Sequence, residues 1–273
     1  MKYAAKHMTP EELRRMQLIQ IELLRELDRV CRLHGIRYII ASGTLLGAVR
    51  YQGFIPWDDD IDVEMLREDY EAFRKAAGRD LDKRMFFQDH RTDRGYPWLY
   101  GKLRMNGTSA VRVGQEHLNM HSGVFIDIFP RDPMPDSAMG KKSFERIARI
   151  CRKILYARVM RVSAATARGR LGWTIVSMVP KAVPFAVERL LRRCAGPEKT
   201  ARVRCYGYHG RYEAEGYDRR WFTELTELSF EGSAYYAPAD WHGYLSHVYG
   251  PDYMTPPPEA KRTASSPVSS FYF

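Results

Sequence analysis

Four aspartates stand close together at the end of the stretch GTLLGAVRYQGFIPWDDDID, residues 43–62. They are Asp58, Asp59, Asp60 and Asp62. Like charges at this density repel one another, so the cluster calls for a nearby cation. A divalent metal ion that carries a phosphorylated substrate would supply it, because Mg²⁺ binds one or two carboxylates together with substrate phosphates. A solvated acidic loop without chemistry is the alternative, and composition alone favours that alternative.

The spacing of Asp60 and Asp62 fits a shared cation if residues 60–63 form a strand. Alternate side chains of a strand project from the same face, so these two carboxylates would point together while the intervening apolar residues pack inward. Their Cα atoms would lie roughly 6.5 Å apart. Asp58 has the same parity and is a further candidate, either as a ligand or as a neighbouring anion, whereas Asp59 would point to the opposite face.

A turn of small residues, Ser42-Gly43-Thr44, precedes the acidic cluster. It follows a predicted strand at residues 36–41 and begins a short predicted helix, where backbone N–H groups can bind a phosphate. An ordinary helix start has the same composition, so the turn alone is a weak signal. A phosphate-binding turn followed by Asp-x-Asp on the next strand is more specific, because it is the general plan of the nucleotidyltransferase fold.

Asp127 is the third candidate carboxylate. It lies in GVFIDIF, residues 123–129, where its close neighbours are apolar. A carboxylate in such surroundings costs free energy unless it is paired, protonated or bound to a metal ion. Partial burial would raise its pKa and suit it to accept a proton from a hydroxyl group. An aspartate at a strand end that hydrogen-bonds to a loop is the alternative.

Basic and aromatic side chains are candidates for substrate binding. Arg50 follows the small-residue turn, and Lys102 and Arg104 alternate on a predicted strand, so each could neutralise charge that develops on a phosphate. Solvated surface positions are the alternative for all three. Residues that could stack on a base or enclose a trimethylammonium group, but that also occur as packing residues, are Trp57, Tyr249 and Tyr253.

Local patterns predict the elements that position these residues. A helix begins at Thr9-Pro10-Glu11-Glu12, which has the composition of a capping box, and ends at His34-Gly35. Other predicted helices cover residues 44–50, 68–77, 137–194 (with breaks near Gly169 and Pro180) and 238–248. Predicted strands cover residues 36–41, 61–65, 85–88, 98–105 and 124–129, with a hairpin of residues 222–230 and 234–237 through Glu231-Gly232. Residues after Thr255 are predicted to be irregular.

This order of elements predicts an α+β fold, with a nucleotidyltransferase-like mixed β-sheet core flanked by helices and a basic helical insertion or subdomain. The catalytic domain would comprise residues 1–136 and 216–258. The insertion would comprise residues 137–215, and residues 259–273 would form an irregular tail.

The run at residues 43–62 closely resembles the signature of the LicD family, which includes fukutin-related proteins. Three further segments resemble the family in the same order along the chain. They are CRLHGIRYIIASGTLLG, GVFIDIFP and FEGSAYYAPADWHGYLSHVYGPDYMTPPP. Together the matching segments cover about half of the chain, and the basic helical block carries no motif of the family.

The resemblance implies a transferase that moves a phospho-alcohol group, such as phosphocholine, from a CDP-activated donor such as CDP-choline to a glycan hydroxyl, with release of CMP. It implies that Asp60, Asp62 and Asp127 hold Mg²⁺, or Mn²⁺, on the diphosphate. The acceptor would be a glycan or a lipid-linked glycan of the cell surface. Two alternatives are a true nucleotidyltransferase that releases pyrophosphate and a non-catalytic basic protein that binds nucleotides or nucleic acid.

Composition restricts the partners. The chain has 273 residues, 45% of them hydrophobic, and a formal net charge of +10. These values are ordinary for a globular protein, and the positive charge suits an anionic partner without choosing among nucleotide, nucleic acid and membrane. No helix-turn-helix, RRM or zinc-finger signature is visible, so we expect no nucleic-acid partner.

The expected location is cytoplasmic. None of the four cysteines has a partner at CxxC spacing, and a chain of this length does not need disulfides. The N-terminus lacks the apolar segment of a secretory signal. The apolar run at residues 171–191 contains two prolines and three charged residues, which argues against a membrane span.

The helical block is rich in arginine between residues 141 and 193. One hypothesis places it on an anionic membrane surface, as a peripheral association at the inner membrane face, where a lipid-linked glycan would be found. The alternative is a helical subdomain with one charged face and one core face.

Overall fold

Within residues 5–196, 200–262 and 268–273, which the computed structural model describes, seven strands form one mixed sheet. Its main path runs in the order β1 (Ile39–Ile40), β2 (Asp62–Leu66), β6 (Phe125–Pro133), β4 (Gly101–Met105) and β3 (Met85–Gln88). The C-terminal end of β6 also pairs with β7 (Arg202–Arg204), which pairs with β8 (Tyr217–Asp218). Strands β2 and β6 are parallel to each other, and the other neighbours are antiparallel.

Two small antiparallel pairs lie outside this sheet. One is the hairpin of β9 (Leu225–Phe230) and β10 (Ser233–Pro238). Its turn has positive φ at Glu231 (50°) and Gly232 (76°), which is the backbone conformation of a tight hairpin turn. The other joins β5 (Ser109–Arg112) to β11 (Val268–Tyr272).

The first helix, α1 (Pro10–His34), begins with the predicted capping box. The Glu12 N–H donates to Thr9 Oγ1 at 3.2 Å, and the Thr9 N–H donates to a Glu12 carboxylate oxygen at 2.8 Å. Gly35 ends the helix in the left-handed conformation (φ 62°). One face of α1 packs against the sheet and contributes to the main core, so the helix fixes the position of the strands that carry the acidic residues.

The remaining helices are α2 (Ser42–Tyr51), α3 (Arg67–Asp80), α4 (Ala138–Ser163), α5 (Ala167–Ser177), α6 (Ala182–Cys194), α7 (Arg211–Glu215) and α8 (Trp241–Tyr249). Short 3₁₀ helices cover Arg219–Phe222 and Glu259–Lys261. In the described part of the chain, no helix combines the length and the apolar composition that crossing a bilayer requires. The mixed sheet with its flanking helices confirms an α+β fold.

Several predicted boundaries are wrong. The strands predicted to begin at residues 98 and 222 begin at Gly101 and Leu225. The strand predicted at residues 36–41 is confined to Ile39–Ile40. The first break in the helical block, predicted near Gly169, lies at residues 164–166: α4 ends at Ser163, and Gly169 lies in the first turn of α5, where its N–H donates to Thr166 Oγ1. The C-terminal segment is not irregular throughout: β11 pairs with β5, more than 150 residues away in sequence, and local composition cannot reveal such a partner. Residues 263–267 of that segment lie outside the described residues.

The predicted insertion at residues 137–215 is helical only as far as Cys194 among the described residues before β7. Its later part returns to the sheet, because β7 pairs with β6 through Asp132–Arg204 and Pro133–Val203. The basic helices α4, α5 and α6 therefore leave the sheet after β6 and come back to the same strand.

Candidate active site

The sheet brings two of the predicted carboxylates to the same level. Asp62 begins β2, and its direct register partner on the parallel strand β6 is Asp127. Asp60 lies just before β2. Carboxylate oxygens of Asp60, Asp62 and Asp127 lie within 4.8 Å of one another, so the structure brings all three predicted metal ligands together.

Asp58 and Asp59 extend this acidic group. Together with Asp60 they offer a second set of carboxylate oxygens within 4.8 Å of one another. The strand begins only at Asp62, so the alternation of faces expected for residues 60–63 does not determine the direction of Asp59. The backbone carbonyl of Asp59 accepts a hydrogen bond from the side chain of Gln20 at 2.9 Å, which ties this loop to α1.

Mutual repulsion perturbs these carboxylates. Burial, followed by the charges of Asp60 and Asp127, raises the pKa of Asp62 well above its ordinary value. Burial and the neighbouring charges of Asp60 and Asp59 raise the pKa of Asp58 to about 8. Crowded oxygen donors of this kind suit a hard divalent cation, which would offset the repulsion.

A cation that the sequence did not identify lies against the cluster. Arg112, the last residue of β5, places its Nη2 atom 3.4 Å from a carboxylate oxygen of Asp60 and 3.4 Å from one of Asp127. Its Nε atom is buried and has no hydrogen-bond partner among the described residues. The only sequence signal is the short alternation of SAVRV, a weak strand pattern that ends at this arginine.

Lys102, predicted to bind substrate, is buried against Asp127 instead of lining a cavity. Its Nζ atom contacts the Asp127 carboxylate and lies 3.5 Å from the centroid of the Phe125 ring. Burial lowers the pKa of Lys102 well below its ordinary value, although Asp127 opposes the shift. Arg104 is also buried, and it donates to the side chain of Gln88 and to the carbonyl of Gly123.

The small-residue turn packs directly on the acidic loop. Ser42 begins α2 with a positive φ of 47°, a strained conformation for a residue with a side chain. A Cβ atom at Gly43 would lie 2.7 Å from a carboxylate oxygen of Asp58, so glycine permits this close approach. Thr44 is buried, and its Oγ1 accepts the backbone N–H of Asp62 at 2.9 Å. The side chain of Thr44 therefore holds β2, and binding of a phosphate by the backbone of the turn stays a prediction.

The acidic cluster opens into a cavity of about 700 Å³. Predicted site residues on its wall are Asp60, Asp62, Asp127, Ser42, Gly43, Arg50, Trp57, Tyr249 and Tyr253. Arg50 donates to the carbonyl of Thr255 at 3.1 Å, and the hydroxyl of Tyr253 lies 2.8 Å from His242 Nδ1. The chain thus closes the cavity with segments from both ends of the sequence.

A buried ionic network, which no sequence pattern indicated, forms the deeper wall. Arg131 on β6 pairs with both carboxylate oxygens of Glu64 on β2 and lies 2.5 Å from a carboxylate oxygen of Glu213 on α7. The hydroxyl of Tyr244 on α8 donates to Glu64 at 3.0 Å. These contacts join two strands and two helices beneath the acidic cluster, and only the tertiary fold brings the partners together.

The part of the chain that contains these residues matches known proteins. Residues 35–152 match the sequence model of a family described as LicD/FKTN/FKRP, nucleotidyltransferase domain. The matched segment contains the small-residue turn, Arg112 and the three clustered carboxylates. It also contains α2, α3 and most of the central sheet.

Individual relatives agree with this match. The lipopolysaccharide cholinephosphotransferase LicD of Haemophilus influenzae is 25% identical over 255 residues, which cover 90% of this chain and 93% of that protein. The human ribitol 5-phosphate transferase FKRP is 40% identical over 74 residues, or 24% of this chain and 15% of FKRP. An uncharacterised protein of Rickettsia prowazekii is 48% identical over 48 residues, or 18% of each chain. These matches confirm the resemblance that the sequence motifs carry.

Proposed function

Because residues 35–152 match the LicD/FKTN/FKRP family model and the Haemophilus influenzae LicD protein is similar over 90% of the chain, we propose that the chain is a member of this family. It would be a transferase that moves a phospho-alcohol group, such as phosphocholine, from a CDP-activated donor to a glycan hydroxyl, with release of CMP. The observation that carries the proposal is the convergence of Asp60, Asp62 and Asp127 at the edge of a cavity. The cavity has room for a nucleotide-linked donor, since ligand sites of roughly 300–1,000 Å³ hold molecules of that size.

We extend the proposal to a nucleotidyltransferase-like arrangement of the core. Support comes from the order β1, small-residue turn, α2 and β2, in which the turn and Asp62 are linked through the Thr44 hydrogen bond. The parallel strand β6 then supplies Asp127 at the register position of Asp62. Phosphate binding at the start of α2 and metal binding at the start of β2 would thereby be adjacent.

Asp60, Asp62 and Asp127 would hold Mg²⁺, with Mn²⁺ as an alternative. Their fit rests on hard oxygen donors, on the distances among them and on the raised pKa of Asp62, which burial and the charges of Asp60 and Asp127 cause. When bound, the ion would neutralise negative charge on the diphosphate of the donor.

The side chains of the protein would bind and orient both substrates. The acceptor oxygen attacks the phosphorus that carries the alcohol, a new O–P bond forms, and the P–O bond to CMP breaks. Asp127 is the proposed acceptor of the hydroxyl proton, and Lys102, which contacts it, would hold the carboxylate in place. Arg50 and Arg112 on the cavity wall would face phosphate oxygens, and the aromatic residues Trp57, Tyr249 and Tyr253 would bind the base or the alcohol group.

We also propose that α4, α5 and α6 lie on the inner face of an anionic membrane, where a lipid-linked acceptor would be found. In support, these helices expose large apolar side chains: Ile150, Leu171, Ile175, Met178, Val183 and Leu190. Arginines and lysines stand between them, as in helices that bind anionic lipid surfaces.

Nucleotide release tests the activity. Purified protein is incubated with CDP-choline, CDP-ribitol or CDP-glycerol and a glycolipid extract, with and without Mg²⁺, and the released nucleotide is identified by chromatography. We expect CMP, dependent on both the metal ion and the extract, and no turnover for Asp60→Asn or Asp62→Asn. Pyrophosphate release from CTP would instead indicate a true nucleotidyltransferase. Full activity in either asparagine variant would contradict the proposed metal site.

A further inference from the structure

A second cavity adjoins the one that contains the acidic cluster. Its volume is about 680 Å³. Tyr100, Arg112 and Tyr208 line both cavities, so the two share part of one wall. Arg112 also lies 3.4 Å from the carboxylates of Asp60 and Asp127. The second cavity therefore ends beside the acidic cluster.

The two cavities differ in the sign of their charge. Seven carboxylates and three arginines line the first one. Four cations and one carboxylate line the second: Arg112, Arg149, Arg152, Lys153 and Glu145. An anionic group is attracted to the second cavity, whereas the carboxylates of the first repel it.

Two of these cations are available for a ligand. Arg149 and Lys153 stand four positions apart on α4, which places them on the same face of the helix. Both are exposed, and neither has a hydrogen bond or an ion pair within the described part of the chain. Arg152, in contrast, donates to Glu145 at 2.7 Å and to the carbonyl of Tyr206 at 3.1 Å. A phosphate or carboxylate group could accept charge-assisted hydrogen bonds from the two unpaired cations.

Aromatic rings form much of the remaining wall. Trp98 precedes β4, Tyr156 lies on α4, and Trp173 on α5 closes the cavity from the outside. Both tryptophans are only half-buried, so each still has ring surface that a ligand can cover. The apolar C–H face of a sugar ring packs well on such surfaces, and a few polar groups then fix its orientation.

We propose that the second cavity binds the acceptor as an anionic saccharide that carries a phosphate or a carboxylate. This inference rests on the proposed function, and it names the acceptor class and its site. The anionic substituent would pair with Arg149 and Lys153, the sugar ring would pack on Trp173, and a neutral hydroxyl would reach the acidic cluster past Arg112. The opposite charges of the two cavities would thus orient the acceptor with its hydroxyl towards the donor.

Direct binding to the full chain tests the site without requiring turnover. Trehalose 6-phosphate serves as the probe in isothermal titration calorimetry, with trehalose and inorganic phosphate as matched controls. We expect the probe to bind more tightly than either control. The double variant Arg149→Ala/Lys153→Ala should weaken its binding by about tenfold or more, because it removes two charge-assisted hydrogen bonds; tenfold corresponds to about 1.4 kcal/mol. The control Lys75→Ala/Arg79→Ala removes the same charges at the same spacing from exposed positions of α3, outside both cavities, and should bind like the wild type.

Trp173→Ala distinguishes a saccharide site from a purely ionic surface. The variant should lower the affinity for trehalose 6-phosphate and leave the affinity for inorganic phosphate unchanged. Unchanged probe affinity in the Arg149/Lys153 double variant would overturn the inference. So would inorganic phosphate that binds as tightly as the probe, or displacement of the probe by phosphatidylglycerol vesicles, which would assign the cations to a lipid headgroup. If the probe binds as expected but no CDP-alcohol yields CMP, the proposed function is wrong. The saccharide site would then remain, and only its assignment to the acceptor would be withdrawn.

Discussion

Asp62 and Asp127 are register partners on two parallel strands. Hydrogen bonds from their backbone N–H groups hold both residues in place without involving their carboxylates. The N–H of Asp62 donates to Thr44 Oγ1 at 2.9 Å, and the N–H of Asp127 donates to the carbonyl of Ile61 at 2.9 Å. The sheet therefore holds two carboxylates together against their repulsion. A bound cation would stabilise such a preorganised pair of carboxylates.

We expect Asp62→Asn to abolish stabilisation of the fold by metal ions. The wild-type melting temperature should rise with millimolar Mn²⁺ or Mg²⁺, because a ligand that binds only the folded state stabilises it. The variant should be at least as stable as the wild type without metal, since it removes a buried charge that Asp60 and Asp127 repel. Differential scanning fluorimetry with and without Mn²⁺ measures both effects.

A matched control for this prediction is Asp252→Asn. Asp252 lines the same cavity but is not part of the carboxylate clusters found among the described residues, so its variant should keep the metal response. Equal metal-induced shifts for the wild type and Asp62→Asn would contradict the assigned site.

Thr44→Val should impair the site through β2. The substitution keeps the size of the side chain and removes the oxygen that accepts the Asp62 N–H, which leaves a donor without its partner. We expect a loss of about 1–2 kcal/mol in the free energy of unfolding, together with weaker Mn²⁺ binding. Urea unfolding and calorimetry measure the two quantities. Thr44→Ser keeps the oxygen and is the control. A valine variant with wild-type metal affinity would show that this hydrogen bond does not position Asp62.

Arg112→Gln should strengthen divalent-metal binding while it lowers turnover. The guanidinium lies 3.4 Å from the carboxylates of both Asp60 and Asp127, so a metal ion must compete with it for the same oxygens. We expect Mn²⁺ affinity to increase several-fold by titration calorimetry. Turnover should fall by about tenfold or more, because the arginine no longer stabilises phosphate charge. Weaker Mn²⁺ binding in the variant would mean that Arg112 organises the carboxylates instead of competing for them.

The sequence predicted those parts of the site whose contacting residues lie close together along the chain. Residues 43–62 form a continuous motif, so the turn and the acidic loop could be recognised together. Asp127 stood out because a charge among apolar residues needs a partner. Arg112 lies 52 residues from Asp60 and in no recognisable motif, and its place depends on the pairing of β5 with β11.

Lys102 shows the same limit within a correctly predicted strand. The alternation of its strand was right, but the face on which the lysine is buried could not be inferred without knowing that β6 lies beside β4. The network of Glu64, Arg131 and Glu213 joins three segments that are far apart in sequence, and each residue alone is unremarkable. Local patterns thus predicted the elements and the clustered carboxylates, whereas the cations that pair with them required the tertiary fold.

The attachment of α6 predicts a specific pH dependence of stability. Glu188 on α6 lies 3.3 Å from Arg67 and 2.8 Å from Arg192, yet burial and the charge of Asp132 raise its pKa to about 7. The folded protein thus binds this proton more tightly than the unfolded chain. The stability that Glu188 contributes is complete below its ordinary pKa of 4.5 and is lost as the pH rises to about 7.

Glu188→Gln should remove this slope. The free energy of unfolding of the variant minus that of the wild type should be about 1–3 kcal/mol larger at about pH 8 than at about pH 5, as measured by urea unfolding. Glu71→Gln is the control, because the pKa of Glu71 is shifted in the opposite direction. Although burial opposes the shift, hydrogen bonds from Arg91 and Arg74 lower the pKa of Glu71 to about 2. Its stability difference from the wild type should be the same at both pH values. A Glu188 variant whose difference is likewise constant would refute the raised pKa.

Helix α5 provides the sharpest test of membrane association. None of its residues is buried. Leu171 and Ile175, and Met178 directly after the helix, are each at least 60% exposed. Their spacing puts them on one face of the helix, with Arg168 and Arg170 at its beginning. Exposed apolar surface of this extent is costly in water, whereas an anionic bilayer would cover it and attract the arginines, each contributing about 1 kcal/mol.

We expect the protein to float with phosphatidylglycerol vesicles in a density gradient but not with phosphatidylcholine vesicles, and to dissociate as salt is raised. Leu171→Ser/Ile175→Ser should reduce the floated fraction by about tenfold, because apolar burial supplies part of the binding free energy. The control Leu18→Ser/Leu33→Ser removes two side chains of α1 that are 53% and 62% exposed and should float like the wild type. Both variants leave Arg149 and Lys153 in place, so loss of flotation with intact trehalose 6-phosphate binding would separate the membrane face from the saccharide cavity. Flotation that survives the α5 substitutions would instead place the membrane contact elsewhere on the molecule.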